Sequence, residues 1–145
     1  MPVNPKPEGY HTVTPYLIVP GAAEFIEFMK LAFVAQERER FPTPDGKIMH
    51  AEVKIGDSVI MLSDSSAEFE PTRSSIHLYV DDVDATYKRA MQQGGESLRE
   101  PQDQFYGDRS AGIKDRFGNQ WWLATHIEYV SPDEMQKRQT TMARA

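Results

Sequence analysis

There is no cysteine among the 145 residues. That absence excludes disulfides, thiolate metal sites and a cysteine nucleophile, and it fits a reducing compartment. Blocks of lysine or arginine are also missing, and the net charge is −6. The attraction for phosphate that drives nucleic-acid binding is therefore not visible, and no nucleic-acid partner is expected. No apolar run approaches the roughly 20 residues of a membrane-spanning helix, so no membrane partner is expected either. The opening stretch MPVNPKP lacks the apolar segment of a secretory signal, and residence in the cytoplasm is the expectation. Bias towards disorder is absent too. With 39% hydrophobic and 26% charged residues, the chain has the composition of one globular domain with a real core.

What is present is a series of short periodic segments. Residues 2–9 carry three prolines and read as an extended arm. His11–Val19 reads as a strand, with Pro15 marking an edge or a bulge. Ala22, Phe25, Ile26, Met29, Ala32 and Phe33 fall at helical spacing. A short polar strand is expected over Gln36–Phe41, a turn at Pro42–Gly46, and two strands, Ile48–Ile55 and Ser58–Asp64, joined by a tight hairpin at Gly56-Asp57. Ser65–Arg73 is polar and irregular, a linker. The order then begins again. Ser75–Val80 is a strand, Asp81 or Asp82 caps a helix whose apolar face includes Val83, Thr86, Tyr87, Ala90 and Met91, and Gly94-Gly95 ends it. Short strands follow near Ser97 and over Phe105–Lys114. A turn at Asp115–Asn119 leads into a closing strand that ends at His126, and Ser131-Pro132 opens a C-terminal helix.

The repetition can be counted. Leu17 and Leu78, Val19 and Val80, and Leu62 and Leu123 are each 61 positions apart, and the same offset places Ile60 on Trp121 and Met61 on Trp122. Two copies of so long a repeat imply two halves related by pseudo-symmetry.

Four pieces carry a resemblance: His11–Val19 (HTVTPYLIV), Gly56–Leu62 (GDSVIML), His77–Ala85 (HLYVDDVDA), and Tyr106-Gly107-Asp108-Arg109 with Asp115–Trp121 (DRFGNQW). In this order and spacing, over about residues 10–126, the chain resembles the vicinal oxygen chelate superfamily of glyoxalase I, bleomycin-resistance proteins and extradiol dioxygenases, and its PhnB-like members most. The resemblance implies an α+β fold of two βαβββ modules, about 10–64 and 74–126, each a cupped mixed sheet; the helix opened at Ser131-Pro132 adds a tail over 131–139. It also implies a ligand cavity inside the cup and a homodimer, with exchange of modules between chains left open. Two positions depart from the family: Val34 stands where a glycine often follows the first helix, and Arg116 where the hairpin usually has proline.

Metal-dependent members hold a divalent ion at places that fall here on Thr14, Met61, Ser75 and Trp122. A thioether and an indole do not hold a hard ion, and hydroxyls hold it weakly. No metal centre and no cofactor are therefore expected. If Met61 and Trp122 face the cup, alternation points Thr14, Tyr16 and Ile18 inward in the first half and Ser75, His77 and Tyr79 in the second. Glu52 then lies opposite Met61, and Gly112 lies opposite Trp122, leaving room beside the indole for a flat ligand. Tyr106 and Arg109 are placed at the rim on a bulge, Arg109 either offering a fork to an anion or pairing with an aspartate. His50 and Glu52, two apart on one strand, form either a general acid/base pair or a structural contact. His11 and His126, near strand ends, read as surface residues, and Met29 and Met91 as core.

The functional expectation is a protein that binds a small, planar or aromatic molecule in a dimer cleft without the family's metal centre. The alternative is an enzyme of the same superfamily, a lyase, isomerase or dioxygenase, using displaced ligands or His50 and Glu52.

Overall fold

The computed structural model describes residues 2–143. The chain divides between Ser74 and Ser75 into two compact units. In the first, strand β1 (Tyr16–Val19) leads into helix α1 (Ala22–Phe33), followed by strands β2 (Gln36–Pro42), β3 (Ile48–Ile55) and β4 (Ser58–Asp64). These form a four-stranded sheet in the order β1-β4-β3-β2, with β1 parallel to β4 and the other pairs antiparallel. The second unit repeats the plan with β5 (Ser75–Tyr79), α2 (Val83–Gln92), β6 (Glu96–Asp103), β7 (Asp108–Lys114) and β8 (Gln120–His126), then adds α3 (Pro132–Ala143). Its sheet runs β5-β8-β7-β6. Each unit is thus a βαβββ module with a mixed sheet.

The 61-residue offset also carries the parallel pairing of the first unit onto that of the second. Tyr16 lies beside Met61 and Leu17 beside Leu62; His77 lies beside Trp122 and Leu78 beside Leu123. Leu17, Val19, Ala51, Val53, Ile60 and Leu62 are all buried, as are Phe25, Ile26 and Met29 of α1. That is the core of the first unit, an amphipathic helix packed on one face of its sheet. In the second, Trp121, Leu123, Ala111 and Ile113 are buried together with Val83 and Ala90 of α2.

Two aspartates fix the corners. Gly21, at the N-terminus of α1, offers no side-chain cap. Instead Asp64, at the end of β4, accepts from the amides of Gly21 and Ala22 at 3.0 and 2.9 Å and from Ile48 at 2.8 Å, satisfying helix-terminal donors from across the sheet. Asp115 does the same for the β7–β8 turn, accepting from the amides of Phe117 and Asn119 and from Nε1 of Trp121 at 2.8 Å. Asp82 caps α2 through the Ala85 amide.

Several boundaries differ from the sequence expectation. The first strand begins at Tyr16 rather than His11, since Pro15 has no amide to donate; only its carbonyl joins the ladder, accepting from Met61. The strand expected near Ser97 runs eight residues. Register slips between Ser97 and Arg99 and between Arg99 and Gln102 break its alternation, and with it the sequence signal. Residues 104–107 form a tight turn between β6 and β7, closed by hydrogen bonds from Gln104 to Asp108 and from Gly107 to Gln104, rather than a bulge. The C-terminal helix extends past 139 to Ala143. The expected linker folds back along β1: the Thr72 amide donates to the Ile18 carbonyl, and the Ile18 amide donates to Oγ1 of Thr72.

Val34 ends α1 in the left-handed region, at φ 59° and ψ 35°, and it is exposed. It is the one non-glycine residue with positive φ among those described. A β-branched side chain there costs roughly 1–2 kcal/mol. The termination is kept because the Ala35 amide returns to the Met29 carbonyl. Val34→Gly is expected to stabilise the protein by about 1 kcal/mol after glycine's larger loss of chain entropy. Urea unfolding checks this, with a higher midpoint and an unchanged slope as the expected result.

Candidate functional site

The sheet faces turned away from the helices carry the polar and aromatic residues. On the first sheet a hydrogen-bonded chain runs across three strands. The Tyr16 hydroxyl meets Nδ1 of His50 at 3.1 Å, Nε2 of His50 meets Glu52 at 2.9 Å, and the Tyr10 hydroxyl donates to the other Glu52 oxygen. Glu52 is buried despite its charge. Because the carboxylate only accepts, Nε2 carries the proton towards it, and in the neutral imidazole Nδ1 is then the acceptor for the Tyr16 hydroxyl. Tyr10 comes from the proline-rich arm, which turns at Gly9 with φ 90°. The Arg38 guanidinium lies over its ring at 5.2 Å. A register slip between Glu37 and Glu39 makes Arg38 the extra residue of a bulge, which re-aims its side chain.

Burial alone would push the Glu52 carboxyl up. The hydrogen bonds from His50 and Tyr10 outweigh it and hold the group below its ordinary range. The same bond to Glu52 pushes the Tyr10 phenol up. Met61 lies beside Tyr16 and opposite Glu52, half-buried. Thr14 precedes β1 and donates to the His11 carbonyl at 3.4 Å. A cavity of about 870 Å³ opens at one end of this unit between Tyr16, Ile18, Ile48, Met49, Ser63 and Phe69. Ser65, Ser66, Glu68 and Phe69, in the stretch read from sequence as linker, form one of its walls.

On the second sheet one row contains His77, Trp122, Gly112 and Arg99 side by side. The Trp122 indole donates to Oγ of Ser75 at 3.1 Å, and the Arg99 guanidinium lies 5.5 Å from its ring centre, within the range of cation–π attraction. Gly112 makes this possible. A Cβ there would come within 2.4 Å of Cζ3 of Trp122, so the space expected for a flat ligand is occupied by the indole itself. His77, Arg99, Tyr106, Ser110 and Trp122 line a hollow of about 320 Å³. Beside it, buried Asp108 accepts from the Tyr79 hydroxyl at 3.0 Å and pairs with Nδ1 of His126 at 2.8 Å. The bond to Asp108 pushes the Tyr79 phenol up. Tyr79 packs on His77, with ring centres 4.8 Å apart.

Arg109 takes the structural of its two readings. It donates from Nε and Nη2 to Asp84 of α2 at 2.8 and 2.9 Å and from Nη1 to Asp103 at 3.1 Å. Its fork is spent there rather than at a ligand, because β7 starts at Asp108 and alternation turns Arg109 to the opposite face from Asp108 and Ser110. Three contributors escaped the sequence reading. Tyr10 lay in an arm without periodicity, Arg99 on a twice-bulged strand, and Ser110 between residues of no distinctive type. For Ser110 the signal was available: it follows Asp108 and precedes Gly112 by two, on the face already assigned inward.

The residues at the four metal positions do not fit an ion. Met61 offers a thioether, and Trp122 offers an N–H already given to Ser75, with no lone pair to coordinate. Among the described residues no group of three or more histidine, aspartate or glutamate side chains is arranged to hold a metal. None of the described helices is long and apolar enough to cross a membrane.

Paired βαβββ modules with polar, aromatic sheet faces define a class, and sequence comparison agrees. Residues 10–123 match the Glyoxalase/Bleomycin resistance protein/Dioxygenase superfamily, and the chain belongs to it. The protein Mb0911c of Mycobacterium bovis is 35% identical over 147 residues, covering 94% of each chain. Among solved structures, PA1353 from Pseudomonas aeruginosa is similar at a TM-score of 0.67 and 24% identity, over 81% of this chain and 99% of that one. The PhnB protein from Bacillus cereus is similar at 0.63 and 16%, over 79% and 99%. Both share the fold.

Glu52 provides a test of the first cluster. Its folded carboxyl stays charged to lower pH than in the unfolded chain, so its stabilisation is present above the ordinary carboxylate range and is lost as pH falls through the lowered folded value. Glu52→Gln is expected to cost about 1–3 kcal/mol at neutral pH and to converge on the parent as pH falls through the lowered folded value of the carboxyl. Denaturant melts across that range measure it; a constant difference at every pH would contradict the assignment.

Proposed function

We propose that the protein binds a small planar or aromatic molecule, without a metal centre, in the hollow of the second sheet, and that it works as a homodimer in the cytoplasm. The observation that supports this reading is the hollow itself: Trp122, His77 and Tyr106 provide ring faces, and Arg99 and Ser110 provide polar contacts at its edge. Few polar groups among aromatic walls is the usual make-up of a small-molecule site. In the first unit, exposed Phe41, Met49 and Phe69 are apolar surface that a second copy would cover.

A thermal-shift screen of flat aromatic compounds against saturated rings of matched size tests the proposal. An aromatic ligand at 100 times its Kd adds about 2.7 kcal/mol to stability and so raises the melting temperature. Trp122→Leu is expected to remove that rise. Equal shifts from saturated rings, or an undiminished shift in the variant, would count against it.

An enzymatic reading draws on a different observation, the Tyr16–His50–Glu52–Tyr10 chain, which could pass a proton between an exposed phenol and a buried carboxylate. His50→Asn would then abolish turnover while leaving affinity at the second-sheet hollow unchanged.

A further inference from the structure

Resting on the binding reading above, the geometry points to the class of ligand: we infer that the second-sheet hollow takes a flat ring bearing one carboxylate. Ser110 is 5% exposed, lines the hollow, and its hydroxyl has no hydrogen-bond partner among the described residues. A buried hydroxyl left unpaired is costly, and native structures hold such groups where something else completes them. A hydroxyl can donate or accept, so Ser110 alone does not choose the ligand's polarity.

The other walls choose it. Arg99 offers five donors and no acceptor, and no carboxylate side chain lines the hollow. Arg40, Arg109 and Arg138 are all held by acidic partners; Arg99 has no such partner among the described residues and rests on the Trp122 ring instead. The nearest acid on that face of β7, Asp108, has its two oxygens engaged by Tyr79 and His126. The unfilled demand is therefore for an acceptor. A guanidinium fork matches the two coplanar oxygens of a carboxylate, and a ring attached to it would continue in the direction of the indole. The net charge of −6 opposes a dianion more than a monoanion through long-range repulsion, so a single carboxylate is favoured over a phosphate ester.

Isothermal titration calorimetry with 2-naphthoate, its neutral counterpart 2-naphthamide, and 2-naphthyl phosphate tests the inference on the full chain. Naphthoate is expected to bind about tenfold or more tightly than naphthamide, from the added strength of a charge-assisted bond, and more tightly than the phosphate. Arg99→Gln should remove the preference for naphthoate while keeping naphthamide binding. Ser110→Ala should weaken naphthoate several-fold and raise the melting temperature of the ligand-free protein, because it removes an unpaired buried hydroxyl. Naphthamide binding as tightly as naphthoate, or unchanged naphthoate affinity in Arg99→Gln, would overturn the carboxylate and leave the planar site standing. Tightest binding by the phosphate would overturn the single charge. Failure of all three compounds to bind would overturn both the inference and the binding reading beneath it.

Discussion

The structure depends on one constraint: strands β1 with β4, and β5 with β8, pair in parallel at the same register. Side chains alternate across a strand, so fixing the register fixes every face at once. With Leu17 beside Leu62 and Leu78 beside Leu123 on the helix side, Tyr16 with Met61 and His77 with Trp122 have no choice but the other face. A slip of one residue would bury Met61 and His77 under the helices and expose two leucines, losing several kcal/mol of apolar burial. The chemistry of each sheet is thus set by packing on its far side. Asp64 and Asp115 hold that arrangement at its corners, each with backbone amides that would otherwise lack partners.

The two modules share a plan and differ in what they place at equivalent points. Glu52 of β3 lies opposite Met61, and Gly112 of β7 lies opposite Trp122. Where the first unit puts a carboxylate, the second puts nothing, and the indole fills the gap. Both outer strands carry a slip one row further out, at Arg38 and at Leu98. In the first unit the slip brings a cation onto Tyr10; in the second it sets Arg99 across Gly112 from Trp122. The same irregularity, present in both units, serves two different arrangements of charge and ring.

Much of this was readable from residue order alone. The repeat of 61 and the hairpin at Gly56-Asp57 gave the paired modules and the opposition of Glu52 to Met61 and of Gly112 to Trp122. These rest on period and register, which a sequence displays directly. What stayed hidden depends on contacts between residues far apart. The Tyr10 phenol reaches Glu52 across 42 positions, and Thr72 reaches Ile18 across 54. Arg109 is ambiguous from residue order because a bulge over Tyr106–Arg109 would shift its phase, and one residue of phase separates a ligand fork from a helix anchor. Strand β6 was cut short for the related reason that slips erase alternation.

The neighbouring tryptophans have a practical consequence. Trp121 is fully buried with its N–H on Asp115, whereas Trp122 is half-exposed beneath a guanidinium. No other indole exists in the chain. Replacing one at a time would give two optical probes a single residue apart, one emitting from the interior and the other from the hollow. Loosening of the core and occupation of the face could then be followed as separate spectral events in the same molecule.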